Sequence, residues 1–265
     1  MAVTHWRTTA RFQFLTKRWE NMTTNRGSLN VEEKNLVDLL GAHIHRDVPG
    51  SGIAPAVGRV IPQSLRPIVR RLATNVISAW QRRVAKRLAR QRPLRLNFGC
   101  GTSRLEGWIN VDLIGLPVDL SWDIRRPLPF EENIVEAIFH EHVFEHIDAY
   151  RGYHFLKECH RILKPGGVMR MVLPDAARYL ASYFDPEHKF LNSWRAERFT
   201  PMLAVQEEFY SFGHRAMYDY ETVALFCRVI GFEVIEMRQF GDSRLIPCPD
   251  SASRIPDSFY TEVMK

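Results

Sequence analysis

The stretch Leu94-Arg95-Leu96-Asn97-Phe98-Gly99-Cys100-Gly101 constrains this chain more than any other part of it. A short apolar run that ends in two glycines reads as a buried strand delivering a tight turn, where absent side chains let a ligand approach the backbone. Trp108-Ile109-Asn110-Val111-Asp112 reads as a second strand closing on a carboxylate, which can accept hydrogen bonds from both hydroxyls of a ribose lying across the first turn. Arg104 stands where a dinucleotide fingerprint has its third glycine, and no Gly-Lys-Ser/Thr follows, so neither that fingerprint nor a P-loop fits. A nucleoside without a pyrophosphate is the better match. Asp123-Ile124-Arg125-Arg126-Pro127-Leu128-Pro129-Phe130 adds a carboxylate where a third strand should end, placed to accept from an exocyclic amine, with Ile124 beside it to cover a base face.

From Arg92 onward short apolar runs alternate with helical segments, the signature of an α/β sheet domain. Strands are expected at Leu94 to Phe98, Trp108 to Val111, Val118 to Leu120, Val135 to Phe139, Gly167 to Val172, Phe232 to Met237 and Phe259 to Met264, with helices at Ala149 to Leu163 and Tyr220 to Ile230. Lys164-Pro165-Gly166-Gly167 ends one helix and turns the chain into the next strand, since proline cannot continue a helix and glycine accepts positive φ. The sheet domain is expected over residues 92–265, with 184–218 as an insertion at the substrate cleft. Residues 1–91 are expected to form an arm and a basic amphipathic helical cap, in which Leu65, Ile68, Val69, Leu72, Val76, Trp80, Val84 and Leu88 recur at helical spacing.

Charge separates these regions. No acidic residue lies between Asp47 and Glu106, an interval that carries twelve Lys and Arg, so the rest of a chain of net charge +6 is net negative by six. Such a basic face suits a phosphorylated or lipid-linked acceptor, an anionic membrane surface or nucleic acid; plain packing with solvated arginines is the bland alternative. The 265 residues are 45% hydrophobic and 25% charged, enough for one substantial core, which excludes wholesale disorder and fibrous architectures. Four scattered cysteines without a CxxC pair point away from a disulfide scaffold or thiolate zinc site. With no run of about 20 apolar residues and no leader-like segment, a cytoplasmic protein is expected, with peripheral membrane contact left open.

In sequence order, LRLNFGCG with INVD, DIRRPLPF, AIFHEHVFEHI, LKECHRILKPGGVMRMVLPD, GFEVIEM and SFYTEVMK resemble the class I S-adenosylmethionine (SAM)-dependent methyltransferases, specifically the type 11 group and its relatives found with sugar and cell-envelope biosynthesis. The resemblance covers roughly residues 92–265. It implies a Rossmann-like seven-stranded sheet of order 3214576 with the last strand antiparallel, here carrying a helical N-terminal extension. It implies SAM as cofactor, bound by Asn97, Phe98, Gly99, Cys100, Gly101, Asp112, Asp123, Ile124, His140 and Glu141. Gly99 and Gly101 would pass under the methionine part, Asp112 would hold the ribose, Asp123 would meet the adenine amine, and His140 to His142 would line the methionine end. The interval from Gly101 to Asp112 is short for the class, and His142 stands where another residue type is common.

His140-Glu141-His142-Val143-Phe144-Glu145-His146 is the densest ionisable cluster. If this segment enters a helix, His142 and His146 share a face with Glu145 beside them. Its HxxEH spelling does not carry peptidase chemistry in this family context. Two functional readings stand. His142 acts as a general base toward a substrate hydroxyl, or His142, Glu145 and His146 hold a divalent metal, magnesium in some relatives with ExxEH, that polarises the acceptor oxygen. Local capping and packing is the plain alternative for Glu145 and His146. Asp175, after Met171-Val172-Leu173-Pro174, is a catalytic candidate or simply a helix N-cap. His214 is a candidate for catalysis and substrate binding from an aromatic-rich lid, or a buried structural histidine. Tyr179 and Tyr183 are expected to line the acceptor pocket.

O-methylation of a sugar, polysaccharide precursor or glycosylated, lipid-linked metabolite is therefore the expected activity, on a small-molecule or oligosaccharide acceptor, by a chain that could pair as a homodimer. RNA methylation is the nearest competing enzyme reading, although no RNA-binding module or aromatic interleaving is recognisable and nucleic acid is the less favoured partner. A non-catalytic cofactor-binding regulator is the reading from another class.

Overall fold

The structure, a computed structural model, describes residues 79–113, 117–194 and 200–265. The expected arm and most of the expected cap lie outside these residues. Helix α1, over 79–88, falls in the last part of the stretch whose spacing predicts a basic helix. Ala85 is buried and Val84 and Leu88 are partly buried in the core beneath the sheet, while Trp80 is exposed. The Gln81 side-chain carbonyl accepts from the Ser121 N–H at 3.2 Å, tying α1 to strand β3 (Leu120–Ser121).

The remaining strands are β1 (Arg95–Phe98), β2 (Ile109–Asp112), β4 (Val135–Glu141), β5 (Leu163–Pro174), β6 (Val234–Arg238) and β7 (Ser258–Met264). They form one seven-stranded sheet of order β3-β2-β1-β4-β5-β7-β6, parallel except for β7, which runs antiparallel to both neighbours. This is the class I methyltransferase arrangement that the motifs imply. Chain order reverses at strand β1: it proceeds outward through β2 and β3 on one side and restarts at β4 on the other. That reversal opens a crevice at the carboxyl ends of β1 and β4.

Local chemistry sets the helices that cover the sheet. Helix α2 (Ala149–Ile162) starts where the Asp148 carboxylate accepts from the Arg151 N–H, and it turns Phe155, Leu156, Cys159 and Ile162 inward at helical spacing. Gly152 on the same face leaves no room for a side chain, because an added Cβ would lie 2.9 Å from both the Phe144 ring and the Tyr218 hydroxyl. Helices α4 (Lys189–Trp194) and α5 (Pro201–Tyr210) lie in the stretch expected as an insertion and share a small core with the preceding α3 (Ala176–Phe184) around Tyr179, Leu191, Ala204 and Val205. Helix α6 (Tyr220–Ile230) is capped by Asp219 and ends at Gly231, whose φ of 108° is left-handed.

A buried cation lies inside the sheet. Arg170 of β5 is fully buried, and its guanidinium forks onto Asp250, with Nε to Oδ1 at 3.0 Å and Nη2 to Oδ2 at 2.6 Å. It also donates to the carbonyls of Asp242 and Gln239, both at 2.9 Å, and sits against the Tyr260 ring. The 239–250 loop is thereby fastened to the sheet. Breaking such a pair strands a buried charge, so Asp250→Ala should lower unfolding free energy by about 3–5 kcal/mol, read by urea denaturation. A loss under about 1 kcal/mol would show that the pair does not hold the loop.

Candidate active site

The turn after β1 is built as the glycines suggest. Gly99 and Gly101 have φ of 63° and 49°, and the Gly99 N–H donates to the Val111 carbonyl at 2.7 Å, stitching the turn to β2. A Cβ on Gly99 would lie 2.1 Å from Val143 Cγ2, so the segment after β4 packs directly onto bare backbone there. Asp112 ends β2 with its carboxylate at this turn, where Oδ2 accepts from the Gly101 N–H at 2.8 Å. The short loop between them is held by side chains in place of backbone ladders. The buried Asn110 carbonyl oxygen accepts from Leu105 N–H at 2.8 Å and Asn97 Nδ2 at 3.0 Å, and its amide donates to the carbonyls of Leu105 and Trp108.

Beyond β4 the chain makes an unusual step. His142 has φ of 51°, strained for a side-chain-bearing residue, and its N–H donates to the Val172 carbonyl of β5. A single 3₁₀ turn, Phe144–His146, follows, in place of the helix on which the spacing argument relied. The Glu145 carbonyl accepts from the N–H groups of Arg215 and Ala216, which brings His214 against the turn. A second 3₁₀ turn, Ala252–Arg254, and the start of β7 close the other side. His142, Glu145, His146, Glu208, Phe212, His214, Arg254 and Asp257 together line a cavity of about 290 Å³.

Hydrogen bonds fix two of the imidazoles. Ser258 Oγ donates to Asp257 Oδ1 at 2.9 Å, so toward His142 Nε2, 2.8 Å away, it can only accept. The proton therefore sits on Nε2 and the lone pair on Nδ1, which faces Glu145 Oε1 at 3.6 Å. His214 Nδ1 lies 2.6 Å from the Glu208 carbonyl and must donate to it, leaving the lone pair on Nε2, 4.0 Å from the same Glu145 oxygen. His146 Nε2 is also 4.0 Å from it. Glu145 is 1% exposed, and neither of its carboxylate oxygens accepts a hydrogen bond.

Burial governs the titration of this cluster. It pushes the Glu145 carboxyl up to about 8, with Glu208 and Asp257 adding repulsion against an opposing Arg254. Burial, followed by the charges of Arg254, His214 and His146, holds the His142 imidazole down at about 3. The same desolvation brings His146 to about 4. At neutral pH these two imidazoles are uncharged, and the proton that the cluster retains belongs to Glu145.

The sequence model of a family described as "Methyltransferase domain" matches residues 77–171, which hold β1 to β4, α2 and most of β5. This match and the strand order agree. Residues 77–171 thus match a methyltransferase domain, and this match and the fold support SAM-dependent methyl transfer. A search among curated proteins finds no match. Among solved structures, the domain is similar to a SAM-dependent methyltransferase from Archaeoglobus fulgidus at 14% identity, covering 71% of this chain and 94% of that one, with a TM-score of 0.43. It is also similar to the 1,6-didemethyltoxoflavin-N1-methyltransferase of Burkholderia thailandensis, at 12% identity, 82% and 93% coverage and a TM-score of 0.41. A SAM-dependent methyltransferase from Thermotoga maritima gives 14% identity, 76% and 97% coverage and a TM-score of 0.42. Likeness at this level says nothing of the acceptor.

The expected cofactor residues separate into two groups. Gly99, Gly101 and Asp112 sit together at the crevice. The side chain of Asn97 is spent on the Asn110 network, Phe98 packs edge-on against Phe155, Cys100 is buried, and His140 is enclosed between Phe144 and Phe155 with its imidazole driven down to about 3 by burial. These positions offer a ligand only their backbone. Asp123 is gripped by its neighbour Arg125, Nε to Oδ1 and Nη2 to Oδ2 both at 2.7 Å, and Ile124 packs partly onto the main core. Glu141 accepts from the Ser251 N–H at 2.9 Å and lies 3.7 Å from Arg254.

Three other expectations need correction. Asp175 caps α3, accepting from the Arg178 N–H at 3.1 Å, and does not line the cavity, so its carboxylate is structural. Tyr179 is fully buried against Phe190 in the small helical core, and Tyr183 stacks near Phe184 and His188, so neither lines the ionisable cavity. The metal-competent group is Glu145, His146 and His214, whose ligand atoms all lie within 4.8 Å of one another, with His142 alongside instead of inside it. Glu208, Arg254, Asp257 and Ser258 escaped sequence reasoning, because only the fold brings these separated segments to one cavity.

Glu145 makes a testable pH term. Its folded pKa lies above its ordinary 4.5, so the folded state keeps a proton that the unfolded chain releases. Stability from this group is therefore lost as pH rises from about 4.5 toward about 8, by at most about 1.4 kcal/mol per pH unit. In chelator-treated protein, Glu145→Gln should gain stability relative to wild type between pH 5 and 8, followed by urea unfolding. A difference that does not change with pH would place the proton elsewhere.

Proposed function

We propose that this protein transfers the methyl group of SAM to a hydroxyl of a sugar, polysaccharide precursor or glycosylated, lipid-linked metabolite, with His142 as the base. The observation that carries this reading is the relay from Asp257 through Ser258 to His142 Nε2, which leaves the Nδ1 lone pair facing the cavity. Val143, the next residue, packs on Gly99, so the base and the glycine turn are neighbours along one short segment. In this reading Gly99 and Gly101 pass beneath the methionine part of the cofactor and Asp112 takes the ribose hydroxyls.

The chemistry asks little covalent work of the protein. The sulfonium already activates the methyl carbon, so alignment of acceptor oxygen, carbon and leaving sulfur supplies much of the acceleration. An alcohol must also lose its proton as it attacks. His142 is neutral and takes that proton at Nδ1, while Asp257, through Ser258, steadies Nε2–H. A thiol or phenol would need this assistance less, which favours an alcohol acceptor.

The expected magnesium ion meets a set of two imidazoles and one carboxylate. Magnesium prefers oxygen ligands and retains its waters, so this nitrogen-rich set suits it poorly. Proton transfer is accordingly assigned to His142 alone.

Labelled SAM presented with glycans, lipid-linked sugars and RNA, followed by mass analysis of the product, tests the acceptor class. With the acceptor in hand, His142→Gln should lower kcat by about 10²–10⁴ while leaving affinity for the demethylated cofactor within about twofold. Asp112→Ala should instead weaken that affinity, measured by calorimetry. Normal turnover in His142→Gln removes the base, and methylated RNA as the sole product replaces the acceptor.

A further inference from the structure

We propose that Glu145, His146 and His214 form a binding site for a divalent first-row transition metal of the zinc type, with His214 supplied by the segment between α5 and α6. The site goes beyond the methyl-transfer reading and does not depend on it.

Four observations converge on it. The ligand atoms of the three residues lie within 4.8 Å of one another, with both imidazole Nε2 atoms 4.0 Å from Glu145 Oε1. Those separations exceed a hydrogen bond, yet they approach the roughly 3–3.5 Å between donors that share one ion at about 2.0–2.1 Å. Glu145 is 1% exposed with both oxygens unpartnered, and such a buried carboxylate requires a compensating group. His214 is oriented as metal-bound histidines usually are: Nδ1–H donates to a backbone carbonyl at 2.6 Å, which fixes the ring and puts the lone pair on the opposite nitrogen. Finally, the cavity of about 290 Å³ onto which these groups open leaves room for further ligands or an acceptor oxygen beside the ion.

The donor set decides the class of metal. Two imidazole nitrogens with one carboxylate oxygen match borderline cations of the zinc, iron and manganese group, as in the facial arrangements that leave coordination positions open. Magnesium and calcium favour all-oxygen sites. The four cysteines supply none of the ligands, although Cys248 is partly exposed and could take up zinc on its own, so the test must separate the two.

Full-length protein stripped with chelator and dialysed would be titrated with Zn²⁺ alone against a chromophoric competitor, then with Mg²⁺ alone. The expected result is one tight Zn²⁺ per chain that millimolar Mg²⁺ does not displace. Affinity for it should fall at least tenfold in His214→Ala and in Glu145→Gln and stay unchanged in Cys248→Ser. Circular dichroism checks that the variants fold. If they do not, Co²⁺ loaded into the wild type gives a second readout: visible d–d absorption without a thiolate charge-transfer band. The proposal is overturned by no stoichiometric Zn²⁺, by affinity that survives loss of His214, by affinity that disappears with Cys248, or by a Co²⁺ spectrum bearing a thiolate band. The methyl-transfer assay is run separately, so failure of one leaves the other standing.

Discussion

The buried ion pair between Arg170 and Asp250 is the constraint on which the far wall of the site depends. A guanidinium inside a sheet is costly unless acceptors meet it, and here Asp250 and the carbonyls of Gln239 and Asp242 take four of its five N–H groups. In meeting it, they fasten a long surface loop to the middle of β5. The chain emerging from that loop then passes Glu141, where Ser251 docks, and continues through the Ala252–Arg254 turn to Asp257 and Ser258. Apolar residues of the same volume would fill the space, but they would not dictate where the loop goes.

The opposite wall depends on how closely two backbones approach. Gly99 leaves space that Val143 fills, and the positive φ of His142 turns the chain out of β4 into a 3₁₀ turn that carries Glu145 and His146. Segments from three separate parts of the chain thus meet around one buried carboxylate. Among the described residues neither oxygen of that carboxylate accepts a hydrogen bond, which is an expensive state for a protein interior. Among the described residues no helix is long and apolar enough to cross a membrane.

Much of this architecture was legible in the residues. Alternation of short apolar runs with helical periodicity located all seven strands to within a few residues, and helix Tyr220–Ile230 falls where its spacing placed it. The paired glycines and Asp112 were legible as a turn and a carboxylate because their chemistry is local. Asn97 and His140 were misleading for an instructive reason: they flank the right turn, but strand alternation sends Asn97 into the loop network and His140 into the core. Asp175 and Tyr179 follow the right strand, yet capping and packing claim both side chains.

By itself the sequence determined the strands and the glycine turn, because periodicity, turn chemistry and strand-end carboxylates act over a few residues; the strand order followed from the family resemblance alone. Only the tertiary structure decided the composition of the ionisable cavity. Whether His214 or His142 joins Glu145 and His146, and whether Asp257 reaches His142 through Ser258, depends on hydrogen bonds between segments far apart along the chain. No local pattern encodes those meetings. They follow from a buried charge in β5 and a missing side chain at Gly99, whose effects appear only once the chain has folded around them.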